Sequence, residues 1–327
     1  MKKNFAIPQI DLLPLWNDPI NGVKIVADNI TRNFKNIGFA YLINHQVSAA
    51  LIKSIFKAAK DFHALPLEEK MKIKQNNCFR GYMPINASQL KVSTEGAAKK
   101  PNQLESFIMA FELPESHPDY KINAYLAGPN QWPDGLPFFR KAIYDYRDAL
   151  LKLSNKLLEV FSVAFGLKPD DLNQFFINPS YFLRLQYYPK QLGIIPEDQY
   201  GIAPHTDYGF FTIVAQDNIG GLEIKNKDNE NEWIKVPYVP DTLVLNSGDM
   251  LKRWSNNTFE SMPHRVINRS GLERYSVPFF FEPNMHAMIE VLESCINTES
   301  PIKLPPIMYG EYLLDRVQGN YGLGKRG

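Results

Sequence analysis

Three side chains in the second half of the sequence could together bind a metal ion. His205 and Asp207 are separated by one residue, so in an extended segment both point to the same face of the strand. His264 begins another strand-like stretch, and the fold would have to bring it to the first two. Two imidazoles and one carboxylate on one side of a metal leave three coordination positions open on the other side. This arrangement suits Fe(II) that must bind both a co-substrate and O₂.

The His-x-Asp pattern alone is weak evidence, because it often arises by chance and a strand histidine is often a hydrogen-bonded core residue. A second pattern strengthens it. Arg274 and Ser276 share one face of a strongly apolar strand, where a guanidinium with a hydroxyl group makes a carboxylate receptor. A buried arginine needs an anion, so the apolar surroundings favour this role. Tyr188 could donate its hydroxyl to the same carboxylate, although its spacing is equally compatible with packing in a barrel.

The elements that must position these residues lie after residue 178. Short strand-like runs follow one another there and are separated by turn-forming residues: 181–188, 209–215, 220–225, 232–236, 242–246, 264–268 and 274–281. That spacing predicts an antiparallel barrel or a two-sheet jelly roll.

The rest of the chain is predicted to support this core. Apolar residues at helical spacing predict helices over 21–36 and 137–166, and Ser48 is a candidate N-cap for another helix. A last helix is expected at about 309–318. Residues 75–103 are polar and long for a connection, so they are either disordered or a lid over something.

Composition excludes several classes of protein. With 327 residues, 44% of them hydrophobic and 22% charged, the chain can bury a large core, so it is neither disordered nor fibrous. Its net charge of +1 indicates neither nucleic acid nor a membrane surface as a partner. The longest apolar runs are too short for a membrane span, and polar residues interrupt the stretch after Met1 that a signal peptide would need. Cys78 and Cys295 match no disulfide framework, so we expect a cytoplasmic protein.

A larger set of motifs resembles the isopenicillin N synthase-like group of 2-oxoglutarate- and Fe(II)-dependent dioxygenases. The resemblance covers about residues 7–320, and its pieces are specific only as an ordered set. They are Ile7-Pro8-x-Ile10-Asp11, Gly38-Phe39, Asn44-His45, Leu65-Pro66-Leu67-Glu68-Glu69-Lys70, Arg80-Gly81-Tyr82, Glu105-Ser106-Phe107, Tyr187-Tyr188-Pro189, His205-Thr206-Asp207, Gly220-Gly221-Leu222, Gly248-Asp249, Pro263-His264-Arg265-Val266 and Arg274-Tyr275-Ser276. The chain departs from the usual pattern at Gln186, where asparagine is common, and at Gln46, which takes the place of a glycine.

The resemblance implies a mainly β fold with α elements. Its core is a double-stranded β-helix (jelly roll) with a packed N-terminal helical region and a C-terminal helix. Four segments are expected: 1–115 as the N-terminal α/β region, 116–177 as a linker and long supporting helix, 178–285 as the jelly-roll core, and 286–327 as the C-terminal helix and tail. The resemblance places the iron ligands at His205, Asp207 and His264, and the residues that hold 2-oxoglutarate at Arg274, Ser276 and Tyr188.

The activity implied is oxidation, most simply hydroxylation, of an unactivated C–H bond in a small-molecule substrate. Fe(II) would be the cofactor, with 2-oxoglutarate and O₂ as co-substrates and succinate and CO₂ as products. No side chain beyond the metal ligands is expected to act as an acid or base. Candidates for the substrate pocket are Arg80, Phe107, Met109 and Phe281. The oligomeric state is left open.

Two alternatives stay open at this point. One is an Fe(II) oxidase of the same fold that does not use 2-oxoglutarate, as in isopenicillin N synthase or the aminocyclopropane carboxylate oxidases, since these also retain Arg-x-Ser. The other is a non-catalytic ligand-binding module on a jelly roll. The intact metal-binding pattern speaks against the second, because a pure binder has no use for open iron positions.

Overall fold

Strands account for most of the core, and helices cover one side of it. A computed structural model of the chain describes residues 6–18, 21–91, 93, 95–122, 124–193, 195–229, 232–296, 301–302 and 304–321. The first residues of the chain, where a signal peptide was not expected, and the last residues of the C-terminal tail lie outside these ranges. The helices are α1 (Leu13–Asn17), α2 (Gly22–Phe34), α3 (Ala49–His63), α4 (Leu67–Met71), α5 (Pro118–Lys121), α6 (Phe139–Ala164), α7 (Asp249–Trp254) and α8 (Tyr309–Tyr321), with 3₁₀ turns at Asn173–Phe176 and Glu293–Cys295.

The strands follow in chain order. They are β1 (Gln9–Asp11), β2 (Phe39–Ile43), β3 (Gly81–Met83), β4 (Glu105–Ala110), β5 (Ser180–Tyr188), β6 (Ile202–His205), β7 (Phe211–Gln216), β8 (Leu222–Lys225), β9 (Trp233–Lys235), β10 (Leu243–Ser247), β11 (His264–Val266), β12 (Arg274–Glu282), β13 (Met288–Ile289) and β14 (Ile307–Met308). All seven runs predicted after residue 178 are strands, at slightly different limits.

Two sheets face each other across the site. The large sheet has the strand order β1-β2-β10-β7-β12-β5-β4-β3, and the small sheet has the order β6-β11-β8-β9. Apart from the parallel pair β1–β2, neighbouring strands in both sheets are antiparallel. This is the predicted jelly roll, and strands from the first 110 residues extend its large sheet at both edges.

The long helices cover the outer face of the large sheet. Phe161 of α6 stacks on Phe211 of β7, with ring centroids 5.5 Å apart, and meets Phe34 of α2 edge-on at 5.6 Å. Local signals set the helix limits as predicted. Ser48 accepts a hydrogen bond from the Leu51 amide at the start of α3. Gly166 follows α6 at φ +79°, a conformation that favours glycine at a helix end.

Some elements were missed because their sequences lack the expected period. Strand β4 is buried at every position, so it has no polar–apolar alternation. The segment 75–103 includes the short strand β3, and Phe79, Ser88, Leu90 and Asn102 from this segment line a cavity, which agrees with the lid alternative. Within the described ranges, no helix combines the length and hydropathy needed to cross a bilayer.

Candidate active site

The two histidines of the predicted triad face each other across the small sheet. His205 ends β6 and His264 begins β11, and the two are directly paired in the antiparallel register. Their ring centroids lie 4.3 Å apart. Phe39 of the large sheet contacts the His264 ring edge-on, at 5.4 Å between centroids. Strand pairing therefore brings together two residues that are far apart in sequence.

Asp207 completes the cluster from the turn after β6. Its Oδ1 lies 3.8 Å from Nε2 of His205 and 3.7 Å from Nε2 of His264. The three ligand atoms lie within 4.8 Å of one another. A glycine at position 248 permits this close turn, because a Cβ there would collide with the Gly209 carbonyl oxygen and lie only 3.1 Å from the Asp207 carbonyl oxygen.

Backbone carbonyls orient both imidazole rings. Nδ1 of His205 lies 2.8 Å from the Ala203 carbonyl oxygen, and Nδ1 of His264 lies 3.1 Å from that of Met262. A carbonyl oxygen only accepts hydrogen bonds, so each Nδ1 carries the proton and each Nε2 presents a lone pair towards Asp207. Burial, followed by the neighbouring His264, lowers the pKa of His205. A metal binds neutral imidazoles, so the lowered pKa of His205 favours metal binding at that ring.

The other oxygen of Asp207 is held by two side chains that the sequence analysis missed. Oδ2 accepts hydrogen bonds from the Thr212 hydroxyl at 2.5 Å and from the Asn246 amide at 2.6 Å. Burial raises the pKa of Asp207, but the two histidines and these hydrogen bonds outweigh it, so the pKa is lowered. Oδ1 is thus left to the space between the histidines. The alternation of side chains along strands β7 and β10 could have indicated that Thr212 and Asn246 face inward. It could not have indicated that both contact Asp207.

The predicted carboxylate receptor lies beside this cluster, on the large sheet. Arg274 is 1% exposed and donates to the Gly220 carbonyl and to the Ser276 hydroxyl, the latter at 3.2 Å. Its guanidinium lies over the Tyr188 ring at 4.6 Å. No carboxylate of the described residues lies within ion-pair distance of it. A buried cation in this state fits an anionic ligand.

Gln186 links the members of this receptor. The Tyr188 and Ser276 hydroxyls both donate to its Oε1, at 2.8 and 2.9 Å. The strand register explains the grouping, because Arg274 pairs with Tyr188 and Ser276 with Gln186 across β12 and β5. Arg274, Ser276 and Tyr188 line a cavity that also includes His205, Asp207 and His264.

A second cavity opens on the other side of the same cluster. It measures about 780 Å³, including space open to solvent. It shares His205, Asp207 and Gln186 with the first cavity, and its walls include Phe182, Arg184 and Tyr208. The cluster of His205, Asp207 and His264 therefore stands between a pocket with a buried arginine and a larger pocket that can hold a second small molecule.

None of the four predicted substrate-pocket residues lines either of these two cavities. Arg80 is fully buried, and it donates hydrogen bonds to the carbonyls of Cys78, Leu126 and Phe111. Phe107 packs on the helical side of the large sheet, 5.2 Å from Phe62 and 4.9 Å from Phe139 between ring centroids.

Like Phe107, Met109 and Phe281 lie on the helical side of the large sheet, away from both cavities. Met109 shares the face of Phe107 on β4, and Phe281 stacks on Phe176 and Phe211 at 5.0 and 5.2 Å. The residues next to them in sequence face inward instead, because successive side chains of a strand point to opposite faces of the sheet. Phe280 lines the cavities in place of Phe281.

Family models match both halves of the chain. The model for the 2OG-Fe(II) oxygenase superfamily matches residues 179–283, which include all the site residues placed above. The model described as non-haem dioxygenase in morphine synthesis N-terminal matches residues 7–135.

Individual proteins resemble the chain over most of its length. The 2-oxoglutarate-Fe(II) type oxidoreductase hxnY of Emericella nidulans is 32% identical, with 97% of this chain and 91% of that protein covered. The 2-oxoglutarate-dependent dioxygenase tropC of Talaromyces stipitatus is 35% identical, with 88% and 90% covered. The crystal structure of a full-length Neurospora crassa protein in complex with alpha-KG and thymine superimposes with a TM-score of 0.83 at 27% identity, with 97% of this chain and 98% of that chain covered.

Proposed function

The chain belongs to the 2-oxoglutarate- and Fe(II)-dependent oxygenase superfamily, and on that premise we propose that His205, Asp207 and His264 bind its iron and that Arg274 and Ser276, with Tyr188, hold 2-oxoglutarate. The protein is an oxidoreductase that uses Fe(II), 2-oxoglutarate and O₂. The reaction we propose is hydroxylation of a C–H bond in a small molecule, with release of succinate and CO₂. Its relatives, as named, are 2-oxoglutarate-dependent, so neither an oxidase without this co-substrate nor a non-catalytic module is favoured.

The observation that carries this proposal is the convergence of unused lone pairs on one point. Asp207 Oδ1 lies 3.8 Å from Nε2 of His205 and 3.7 Å from Nε2 of His264, which is too far for a hydrogen bond to either ring. Imidazole and carboxylate are the donor set of the Fe(II) facial triad. The opposite sides of these residues are already occupied, by carbonyls at Nδ1 and by Thr212 and Asn246 at Oδ2. Each ligand is thereby fixed in the orientation that metal binding needs.

The support for the 2-oxoglutarate position is the charge of Arg274. Its planar guanidinium can donate two parallel hydrogen bonds to a carboxylate, and the Ser276 hydroxyl lies next to it. The pocket that contains both residues also contains the metal cluster, so one dicarboxylate could reach from Arg274 to the iron. Gln186 accepts from Ser276 and Tyr188, which fixes these hydroxyl groups in the apo protein.

The roles of the protein in the reaction are binding, orientation and exclusion of water. Bound iron supplies the oxygen chemistry, in which 2-oxoglutarate is oxidatively decarboxylated as the substrate is oxidised. The apolar walls near the cluster, which include Phe182 and Phe280, limit the access of water to the reacting atoms. No described side chain needs to act as a general acid or base.

Loading with iron and co-substrate tests this proposal. The anaerobic protein with Fe(II) should develop a metal-to-ligand absorption band when 2-oxoglutarate is added, and in air it should release succinate. His264→Gln should abolish the band. The matched control His286→Gln, which alters an exposed histidine paired with Asp119, should leave it unchanged. A wild-type protein that binds no Fe(II), or a His264→Gln variant that retains the band, would refute the ligand assignment.

A further inference from the structure

We propose that the substrate carries a carboxylate group, and that Arg184 binds it. The inference rests on the proposed function, because it concerns the larger cavity beside the proposed iron site. It names a substrate class and the residue that selects it.

Arg184 lies on the inner face of β5, two residues before Gln186. Its side chain lines the larger cavity together with His205 and Asp207. The residue is 7% exposed. A guanidinium in this position lies within the protein interior and close to the proposed reaction centre, not on the surface.

Among the described residues, Arg184 forms no ion pair with a carboxylate. NH2 donates to the Ser106 hydroxyl at 3.1 Å and approaches the Met83 sulfur at 3.7 Å, and NH1 lies 3.4 Å from the Tyr321 hydroxyl. Nε is buried without a hydrogen-bond partner. Within the described ranges, no aspartate or glutamate comes within 4 Å of its nitrogens. Every contact it makes is therefore neutral.

Two other arginines of the chain, in contrast, form ion pairs with carboxylates. Arg265 pairs with Glu223 at 2.8 Å, and Arg147 pairs with Asp148 at 2.6 Å. Burying a cation without an anion is costly, and a neutral side chain of similar length would fill the space without that cost. Arg274 is in the same state, and an anionic ligand is proposed for it above. By the same physical argument, Arg184 is prepared for an anion.

Two hydroxyl groups of the cavity can also donate to an anion. The Ser88 hydroxyl accepts from the Asn102 amide at 3.1 Å, and the Tyr208 hydroxyl accepts from Asn320 at 2.7 Å. Each hydroxyl proton is thus directed elsewhere and can be donated to a ligand. Glu282 does not supply the missing negative charge, because burial raises its pKa well above the ordinary value and so favours the neutral acid.

The surroundings decide which kind of anion fits. Arg184 is the only lysine or arginine among the described residues that line this cavity, so it matches a single negative charge better than a phosphate. The walls are apolar at Phe79, Leu90, Phe182, Phe280, Leu313 and Val317. The ligand that matches is a monocarboxylate with an apolar body, which places its carboxylate at Arg184 and its C–H bonds near the metal cluster.

A matched set of probes tests this inference. Arylacetic and straight-chain alkanoic acids are compared with their primary amides, which have nearly the same shape but no charge. Binding is measured anaerobically to the Fe(II)- and 2-oxoglutarate-loaded protein, by the shift of the absorption band and by the rise in Tm. We expect the best acid to bind about 10- to 100-fold more tightly than its amide, the usual range for charge-assisted hydrogen bonds. Arg184→Gln should abolish this preference, and Arg184→Lys should retain part of it.

The controls separate this inference from the proposed function. Arg269→Gln removes an exposed guanidinium and should leave the acid preference unchanged. A normal band with 2-oxoglutarate but equal binding of acids and amides would overturn the inference and leave the proposed function intact. Equal acid preference in wild type and Arg184→Gln would overturn it too, as would displacement of 2-oxoglutarate by the acids. If Arg184→Gln does not fold, the wild-type comparison and Arg184→Lys still decide the question. Absence of the band in the wild type would instead refute the proposed function.

Discussion

Two clusters of histidine and carboxylate are buried in this protein, on opposite faces of the large sheet. The helix-side cluster consists of His63, Lys70, Tyr82 and Glu105. The interior cluster consists of His205, Asp207 and His264. Strand β5 separates them: Tyr187 lies on the helix side, where it stacks on His63, while Gln186 lines the cavities.

The helix-side cluster is closed, because its members satisfy one another. One Glu105 oxygen lies 2.9 Å from Nδ1 of His63 and 2.8 Å from the Lys70 ammonium, and the other accepts from the Tyr82 hydroxyl. Nε2 of His63 lies 3.0 Å from the Leu185 carbonyl oxygen. Each of these polar atoms has a partner in the cluster or in the backbone, which indicates a structural role.

The interior cluster is open. Hydrogen bonds engage Nδ1 of each histidine and Oδ2 of Asp207. The Nε2 atoms and Oδ1 face the centre of the cluster, and Oδ1 forms no hydrogen bond with either Nε2. The comparison teaches that residue type and burial do not distinguish a metal site from a structural ion pair. The distinguishing feature is where the lone pairs point, and whether a protein donor already meets them.

The largest expected effect tests the open cluster. Asp207→Ala removes one proposed metal ligand together with its negative charge, so succinate formation should fall by more than about 100-fold, beyond the 10- to 100-fold that changes around a metal site cost. The fold should persist, which circular dichroism and Tm measure. Near-wild-type turnover would remove Asp207 from the metal site.

The next effect is on stability and tests the closed cluster. Glu105→Gln breaks a buried ion pair, so we expect the free energy of unfolding to fall by about 3–5 kcal/mol in urea titrations. Iron binding by the folded fraction should not change. The matched control is Glu69→Gln, which breaks the exposed pair with Lys72 and should leave the free energy of unfolding nearly unchanged. Loss of iron binding in folded Glu105→Gln would show that the two clusters are not independent.

The acid dependence of stability gives a second test of the same cluster. Burial raises the pKa of Glu105, but hydrogen bonds from His63, Lys70 and Tyr82 outweigh it and lower the pKa from 4.5 to about 2. The unfolded chain therefore takes up this proton first, and the contribution of Glu105 to stability is complete above pH 4.5 and is lost as the pH falls towards 2. Stability in this range should fall less steeply in Glu105→Gln than in wild type. Equal slopes would contradict the pairing.

A smaller effect on iron affinity tests whether the residues that hold Asp207 orient it for metal binding. Thr212→Val removes the hydroxyl that donates to Asp207 and keeps the shape of the side chain. We expect Fe(II) affinity, measured by competition with a chelator, to fall about 10- to 100-fold. Thr212→Ser keeps the hydroxyl and should bind iron nearly as wild type does. Equal affinities for the two variants would show that this hydrogen bond does not orient the ligand.

The smallest expected effect concerns Arg274, which lines the same cavity as the interior cluster. Arg274→Lys replaces a planar fork by a point charge, so the 2-oxoglutarate concentration for half-maximal turnover should rise about tenfold, the cost of one charge-assisted hydrogen bond. Fe(II) affinity in the absence of 2-oxoglutarate should stay the same. An unchanged requirement for 2-oxoglutarate would place the co-substrate elsewhere.

Much of the fold was predictable because it depends on local patterns. Seven strands after residue 178 and the helix α6 follow from alternation, helical period and turn residues, whereas β6, β13 and β14 were not predicted. Strand β4 was not predictable in this way, because both of its faces are buried. The sequence could not tell Phe280, which lines the cavities, from Phe281, because both are equally apolar and only the sheet register decides which one faces inward.

The sequence by itself determined the chemical inventory of the site. Spacing placed His205 and Asp207 on one face, and the apolar strand around Arg274 implied a buried cation in need of an anion. The tertiary structure alone decided that His264 pairs with His205 and that Thr212 and Asn246 take one oxygen of Asp207. It also decided that His63 pairs with Glu105 while Arg184 meets no carboxylate among the described residues. The physical reason is range. Side-chain direction along a strand is set by neighbours in sequence, whereas hydrogen-bond partners and counter-charges come from strands that meet only in the folded chain.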